Sequence, residues 1–387
     1  MKPTVCIVVF KLEPGGAEFL AARVAEKLAD NHRFIYVCLE SESTRGTPIE
    51  TLGSPVYELK KQPGLDWSVP HMLRSIVRDE RVDLIHAHQY GPFFYSALCR
   101  WGSSRPPILF QEHGRQIPDP VRRSHHVANR ILLGGKDRVI AVSNQVKRGL
   151  VESEGFPSDR VEVVYNGINC EAFDFSRGNR QEVRRELNIA PESFVVMTAA
   201  RLDPIKDHET SLRSMYRLLQ RQSNAILVFV GDGPEAATID GWVDRLGLTN
   251  QVRRLGTRFD VPRLLSAADV GLLNSKSEGL PLFLLEAMAT GLPVVGTKVP
   301  GIQDVVVEEE TGFLADVGDD SSIASHLARL AQDEQLQRRM GRAGRERVVQ
   351  KFSEARMVCE YERMYHAMIR KETRRTEAPR EMSLTGS

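Results

Sequence analysis

The chain is predicted to fold as an α/β protein of two doubly wound parallel-sheet domains facing each other across a cleft. Three observations carry that prediction. Short apolar, β-branched runs alternate with helical patterns from end to end, the sequence sign of parallel βαβ units. The alternation lapses once, near Tyr165, into NGINCEAFDFSRGNRQEV, before a new apolar strand opens at Ser193. A length of 387 residues is too great for one ordinary core and suits two.

In the first half the apolar runs place strands at 4–10, 34–39, 56–59, 83–86, 108–111, 138–142 and 161–164, with helical stretches between most of them. After the lapse, strands recur from 193 and at 225–230, 252–255, 270–274 and 293–296. The expected domains are therefore 1–168 and 193–352, joined by a linker over 169–192. Met357, Val358, Tyr361, Met364, Tyr365 and Met368 recur at helical spacing, which predicts a closing helix over 353–370. Residues 371–387 contain almost no large apolar side chain, and a disordered tail is expected there. Doubly wound sheets bind ligands at the carboxyl ends of their strands, so two that face each other make a cleft for a small molecule.

Composition narrows the partner. Hydrophobic residues at 41%, charged residues at 27% and a formal net charge of +1 are ordinary globular values that make no case for nucleic acid. The five cysteines (Cys6, Cys38, Cys99, Cys170, Cys359) lie far apart and form no CxxC pair, which argues against a disulfide framework or a zinc cage and fits a reducing cytoplasm. The N-terminal apolar run breaks at Lys11, and no stretch of about 18 apolar residues occurs, so neither a signal peptide nor a membrane span is expected.

The segment SKSEGLPLFLLEAMATGLPVVGTKVPGIQDVV, starting at Ser275, carries the strongest chemical signal. Pro281 suits the first turn of a helix, where its missing N–H would have no partner. Leu282 and Phe283 would then present free N–H groups at a positive helix end, a seat for phosphate. Glu286 falls one turn further on, among Leu, Phe, Ala and Met. A carboxylate there needs donors, and vicinal ribose hydroxyls would supply two. A lone glutamate could equally face solvent or pair with an arginine. The Glu278 loop, the proline-started helix and the following GLPVVGT strand occur together, and the combination favours binding.

With Glu278-GLPLFLL-Glu286 on the page, the chain resembles the retaining glycosyltransferases of family 4, in the GT-B class of two Rossmann-like domains. The resemblance covers PGGAE (Pro14 to Glu18), LIHAH, QEHGR, RVIAVSNQVK, VVYNGIN, AARLDPIKDH, FVGDGPE and AADVGLLNSKSEGLP. It implies that Glu286 grips the nucleotide ribose and that Glu278 meets the donor sugar, with Gly279 and Leu280 beside it counted among the substrate-binding residues. Arg201 and Lys206 match the basic pair on the diphosphate. Such a pair can stabilise charge developing on the leaving diphosphate, with no divalent metal and no cofactor beyond the nucleotide-sugar co-substrate. Taken alone, that loop would equally suit surface ion pairs.

The resemblance further implies that His113 contacts the donor sugar or a nearby backbone carbonyl, and that the Gly15–Gly16 loop lies near donor phosphate and acceptor. Gly231 and Gly233 close a strand; tight turns explain them, with nucleotide contact slightly preferred. The base is expected near Arg258 or the residues before it. His86 and His88 resemble a metal HxH without an evident third ligand, and packing is the expected role; His125 and His126 read as solvated. A basic amphipathic helix at 121–133 carries Arg122, Arg123 and Arg130 beside Val121, Val127, Ile131 and Leu132. It suits a peripheral contact with anionic lipid at the inner face of a membrane as well as an ordinary charged outer face, and both readings stay open.

The implied activity is transfer of a hexose-type sugar from a nucleoside diphosphate, UDP before GDP, to a hydroxyl of a carbohydrate or lipid-linked acceptor, with retention, in surface polysaccharide or glycolipid synthesis. The rival readings are a nucleotide-sugar 2-epimerase of GT-B fold and a non-catalytic nucleotide-sugar-binding module.

Overall fold

The computed structural model describes residues 2–11, 16–40, 53–102, 106–114, 123–173 and 179–376. Seven strands build the first sheet: β1 (Thr4–Val9), β2 (Arg33–Cys38), β3 (Val56–Glu58), β4 (Leu84–His88), β5 (Ile108–Glu112), β6 (Arg138–Ala141) and β7 (Val161–Val163). Six build the second: β8 (Phe194–Ala199), β9 (Ala225–Val230), β10 (Val252–Arg254), β11 (Val270–Leu273), β12 (Val294–Thr297) and β13 (Gly312–Ala315). Every ladder is parallel, in the orders β3-β2-β1-β4-β5-β6-β7 and β10-β9-β8-β11-β12-β13. The predicted fold class is the observed one.

Helices cover both faces of each sheet, which is why the central strands read as unbroken apolar runs: β1 is buried throughout and β8 over its first five residues. One face of the second sheet packs on the helix Leu282–Ala289, the other on the helices His208–Leu219 and Asp320–Gln332. The first sheet packs on the helices Ser68–Asp79 and Tyr90–Cys99 on one side. On its other side lie the helix Gly16–Leu28 and a long helix, Glu354–Thr376.

The chain therefore crosses between the sheets twice. Ile168 N–H donates to Phe352 O at 2.9 Å and Glu354 N–H to Ile168 O at 2.9 Å, so the outgoing and returning segments run side by side. Gly167 permits this, because a Cβ there would stand 2.6 Å from Ser353 O. The stretch read as a linker holds the helix Arg180–Glu186, and Val183, Leu187 and Ile189 are buried in the core of the second sheet. The last helix continues through Thr376, beyond the point where a tail was expected; 377–387 lie outside the described residues. β13 was not expected: the run GFLA is four residues long, begins with glycine and follows an acidic stretch, leaving little strand pattern to read.

Candidate active site

Strand order reverses between β1 and β4 in the first sheet and between β8 and β11 in the second. Loops leaving adjacent strands on opposite sides of such a point part and leave a crevice at the carboxyl ends. The loop after β8 carries Arg201 and Lys206, and the loop after β11 carries Ser275 to Pro281. They are stitched together by Lys276 N–H donating to Ile205 O at 2.8 Å. Lys206 Nζ donates to Glu278 Oε1 at 2.5 Å, and Ser275 Oγ donates to the same oxygen at 2.5 Å. The pair is sheltered, with side chains 21% and 10% exposed, so neither charge is dispersed into bulk water. Arg201 is exposed, and its guanidinium has no ion pair or hydrogen bond among the described residues.

The helix Leu282–Ala289 begins one residue later than the sequence suggested. Pro281 has φ −79° and ψ 89°, outside the helical region, and its carbonyl accepts from Leu284 N–H at 3.1 Å. Pro281 thus caps the helix, and Leu282 and Phe283 supply the first two N–H groups, which have no carbonyl behind them in the helix. Glu286 is half-buried on this helix, and its carboxylate has no hydrogen-bond or ion-pair partner among the described residues. Burial raises its pKa from 4.5 to about 7.

The two domains meet at this loop. A Cβ on Gly279 would stand 2.9 Å from His113 O, and Gly114, at φ +131°, lies against Gly279 Cα. From the other side Gly301 packs under the loop, where a Cβ would stand 2.2 Å from Glu278 O. The helices Asn144–Glu152 and Pro300–Val305 tie the domains beside it. Gly301 N–H donates to Gln145 Oε1 at 3.1 Å and Asn144 N–H to Asp304 Oδ2 at 2.9 Å. His113 is half-buried, and its Nε2 lies 2.9 Å from His88 Nδ1.

The geometry thus gathers His113, Lys206, Glu278, Gly279 and the start of the Leu282–Ala289 helix, with Leu280 buried behind them. Gly231 and Gly233 lie under the Arg201 loop: a Cβ at either would meet the carbonyl of Ala200 or Leu202, at 2.1 and 2.4 Å. Close backbone approach accounts for both. Arg258 follows the edge strand β10, and its guanidinium is gripped by Asp260 at 2.6 and 2.7 Å and by Glu186 at 3.3 Å. Gly15 lies outside the described residues, and Gly16 opens a helix.

Residues passed over in the sequence also shape the site. Ser275 holds Glu278, Thr297 Oγ1 donates to Ser275 O at 2.6 Å, and His208 Nε2 lies 3.4 Å from Arg201 O. Ser275 and His208 stand inside the quoted motifs, and small polar residues flanking a candidate acid or base were the available signal. His86 and His88 pack as expected but also hydrogen-bond. Among the described residues no three His, Cys, Asp or Glu side chains converge as a metal site.

Two doubly wound parallel sheets, the second with a basic and an acidic loop at its switch point, are the architecture of the GT-B glycosyltransferases. The chain belongs to glycosyltransferase family 4: residues 14–172 match the family described as Glycosyltransferase Family 4, and 179–347 match Glycosyl transferases group 1. It is 30% identical to N-acetyl-alpha-D-glucosaminyl L-malate synthase of Bacillus anthracis over 81% of this chain and 82% of that one. It is 26% identical to the UDP-Gal:alpha-D-GlcNAc-diphosphoundecaprenol alpha-1,3-galactosyltransferase of Escherichia coli over 77% and 78%. Among solved structures, a glycosyltransferase from Rickettsia africae superposes with a TM-score of 0.85 at 20% identity, covering 95% of this chain and 99% of that one. Anabaena HepE in complex with UDP and glucose superposes with a TM-score of 0.78 at 22% identity, covering 93% and 98%.

Proposed function

We propose that the chain moves a hexose-type sugar from a nucleoside diphosphate, UDP before GDP, to an acceptor hydroxyl, retaining anomeric configuration and needing no metal. Glu286 carries this reading: an unpaired, desolvated carboxylate one turn inside a helix whose first N–H groups have no carbonyl behind them suits two ribose hydroxyls with a phosphate beside them. Arg201 and Lys206 then take the diphosphate, where fixed positive charge counts most as the anomeric bond breaks. Glu278, held by Lys206 and Ser275, faces the sugar with His113 across the cleft.

The acceptor is a carbohydrate or a lipid-linked sugar, as the name of the Escherichia coli relative suggests. A peripheral membrane contact fits the helix Arg123–Leu132, where Val127 and Ile131, one turn apart, are 63% and 64% exposed rather than packed inward. No described helix is long and apolar enough to cross a membrane.

The test is nucleotide release from a panel of UDP- and GDP-sugars with and without acceptors, joined to calorimetric titration of Glu286→Ala and Glu278→Ala with the free nucleotide. Glu286→Ala should lose about 1.5–3 kcal/mol of nucleotide binding, the range for hydrogen bonds to a charged group, and Glu278→Ala almost none. Equal losses would refute the division of labour, and an absence of acceptor-dependent release with every donor would refute transfer.

A further inference from the structure

Behind His113 stands a column of imidazoles. On β4 the period of two puts His86 and His88 on one face, and the register sets His88 beside Gln111 of β5, two residues before His113. The rings of His86 and His88 lie 4.2 Å apart, and those of His88 and His113 lie 5.2 Å apart, within 13° of parallel. His86 uses both nitrogens: Nδ1 lies 2.8 Å from Tyr365 Oη and Nε2 lies 3.1 Å from Gln111 Oε1. An amide oxygen only accepts, so His86 carries its proton on Nε2 and Tyr365, from the Glu354–Thr376 helix, donates to Nδ1.

His88 differs. Its Nδ1 lies 2.9 Å from His113 Nε2, whereas its Nε2 is buried with no partner among the described residues. All three rings are kept neutral. Desolvation lowers His113 to about 4, and desolvation followed by the neighbouring imidazoles lowers His86 to about 3 and His88 well below its ordinary value. Two neutral rings sharing one hydrogen bond leave two arrangements. With His113 donating, His88 Nε2 would bear an N–H with no acceptor; with His88 donating, only a bare ring nitrogen is buried. Proteins bury an orphaned N–H more rarely than an under-satisfied acceptor.

We propose that His88 is a positioning residue for His113: its Nδ1–H fixes the ring in the tautomer whose proton is on Nδ1, leaving His113 an N–H and no lone pair to offer in the cleft. His88 is itself seated on His86, which Tyr365 and Gln111 hold in place. An uncharged donor can hydrogen-bond a sugar oxygen without placing positive charge beside an oxocarbenium-like centre. The inference rests on reading this cleft as the donor-sugar site, and its test does not depend on turnover.

Histidine-selective 15N labelling and long-range 1H–15N correlation read the tautomer of each ring, with His113 assigned by its loss in His113→Gln. Wild-type His113 should show a single form protonated on Nδ1. His88→Ala should mix the tautomers and lower kcat about tenfold, the worth of one hydrogen bond, without changing affinity for UDP. His88→Asn places a side-chain N–H where Nδ1–H stood and should restore the tautomer and most of the rate. A wild-type His113 proton on Nε2 overturns the proposal with no assay of transfer, and so does a His88→Ala protein with wild-type tautomer and kcat. Undiminished transfer by His113→Gln would instead sink the donor-sugar reading, while the spectra still decide the tautomer.

Discussion

Replacing Glu286 by glutamine removes a charge that the fold carries at its own expense. Burial raises the carboxyl from its ordinary 4.5 to about 7, so between those values the folded protein holds a proton that the unfolded chain has released. For an acid whose folded value is raised, the destabilisation is absent below about 4.5, grows as pH rises to about 7 and stays constant above. At about 1.36 kcal/mol per tenfold change in proton affinity, that window corresponds to about 3 kcal/mol. Glutamine keeps the shape without the charge. At about pH 8 the Glu286→Gln protein should be more stable than wild type by up to about 3 kcal/mol, and near pH 4.5 the two should coincide. It should at the same time bind UDP more weakly, because a charged acceptor is exchanged for a neutral one. Urea unfolding across that pH range, with calorimetric titration at the upper end, measures both. A stability difference that does not vary with pH refutes the desolvation argument, and undiminished UDP affinity refutes the ribose contact.

Lys206→Ala should lower kcat by roughly 10²–10³, the cost of losing one transition-state donor, while excess EDTA leaves wild-type transfer intact. Activity that vanishes in EDTA and returns with manganese or magnesium would show that an ion handles the diphosphate. Gly301→Ala forces a Cβ to within 2.2 Å of Glu278 O. It should cut kcat by roughly tenfold or more by displacing that loop, with an unchanged circular dichroism spectrum; wild-type kcat would mean the loop tolerates the shift. Val127→Asp with Ile131→Asp should abolish co-sedimentation with phosphatidylglycerol vesicles, and a wild-type protein that never sediments with them removes the membrane contact from the proposal.

Much of this was legible in the sequence, for physical reasons that also mark where legibility ends. Strands buried on both faces announce themselves as apolar runs, so twelve of the thirteen observed strands stood within a residue or two of their expected places; β13 is too short to do so. The loop chemistry of Glu278 and the helix behind it was readable because Pro281, the carboxylates and the apolar helix lie within one local stretch. Contacts between distant segments were not. Nothing local in LIHAH reveals that His86 meets Tyr365 across 279 positions, or that His88 meets His113 from the neighbouring strand. At Gly231 and Gly233 a glycine says only that something approaches its Cα; that the backbone of the Arg201 loop lies there is a tertiary fact. The expectation of the base near Arg258 rests on fold position, and the carboxylates that grip Arg258 come from a helix more than seventy residues upstream as well as from its own turn.

The return of the last helix to the first sheet sets an order on biosynthesis. Met357, Tyr361, Met364, Tyr365 and Met368 complete the layer over Val5, Ile7, Val9 and Tyr36. A nascent chain that has just emerged with β1 to β7 therefore has that layer incomplete, and it must wait for the whole second domain to be made before its missing helix arrives. During that interval the open apolar face is a surface for holding chaperones or for aggregation. The second sheet, whose core draws on residues from Ile168 to Phe352, has no such wait. The domain made first is thus the one finished last.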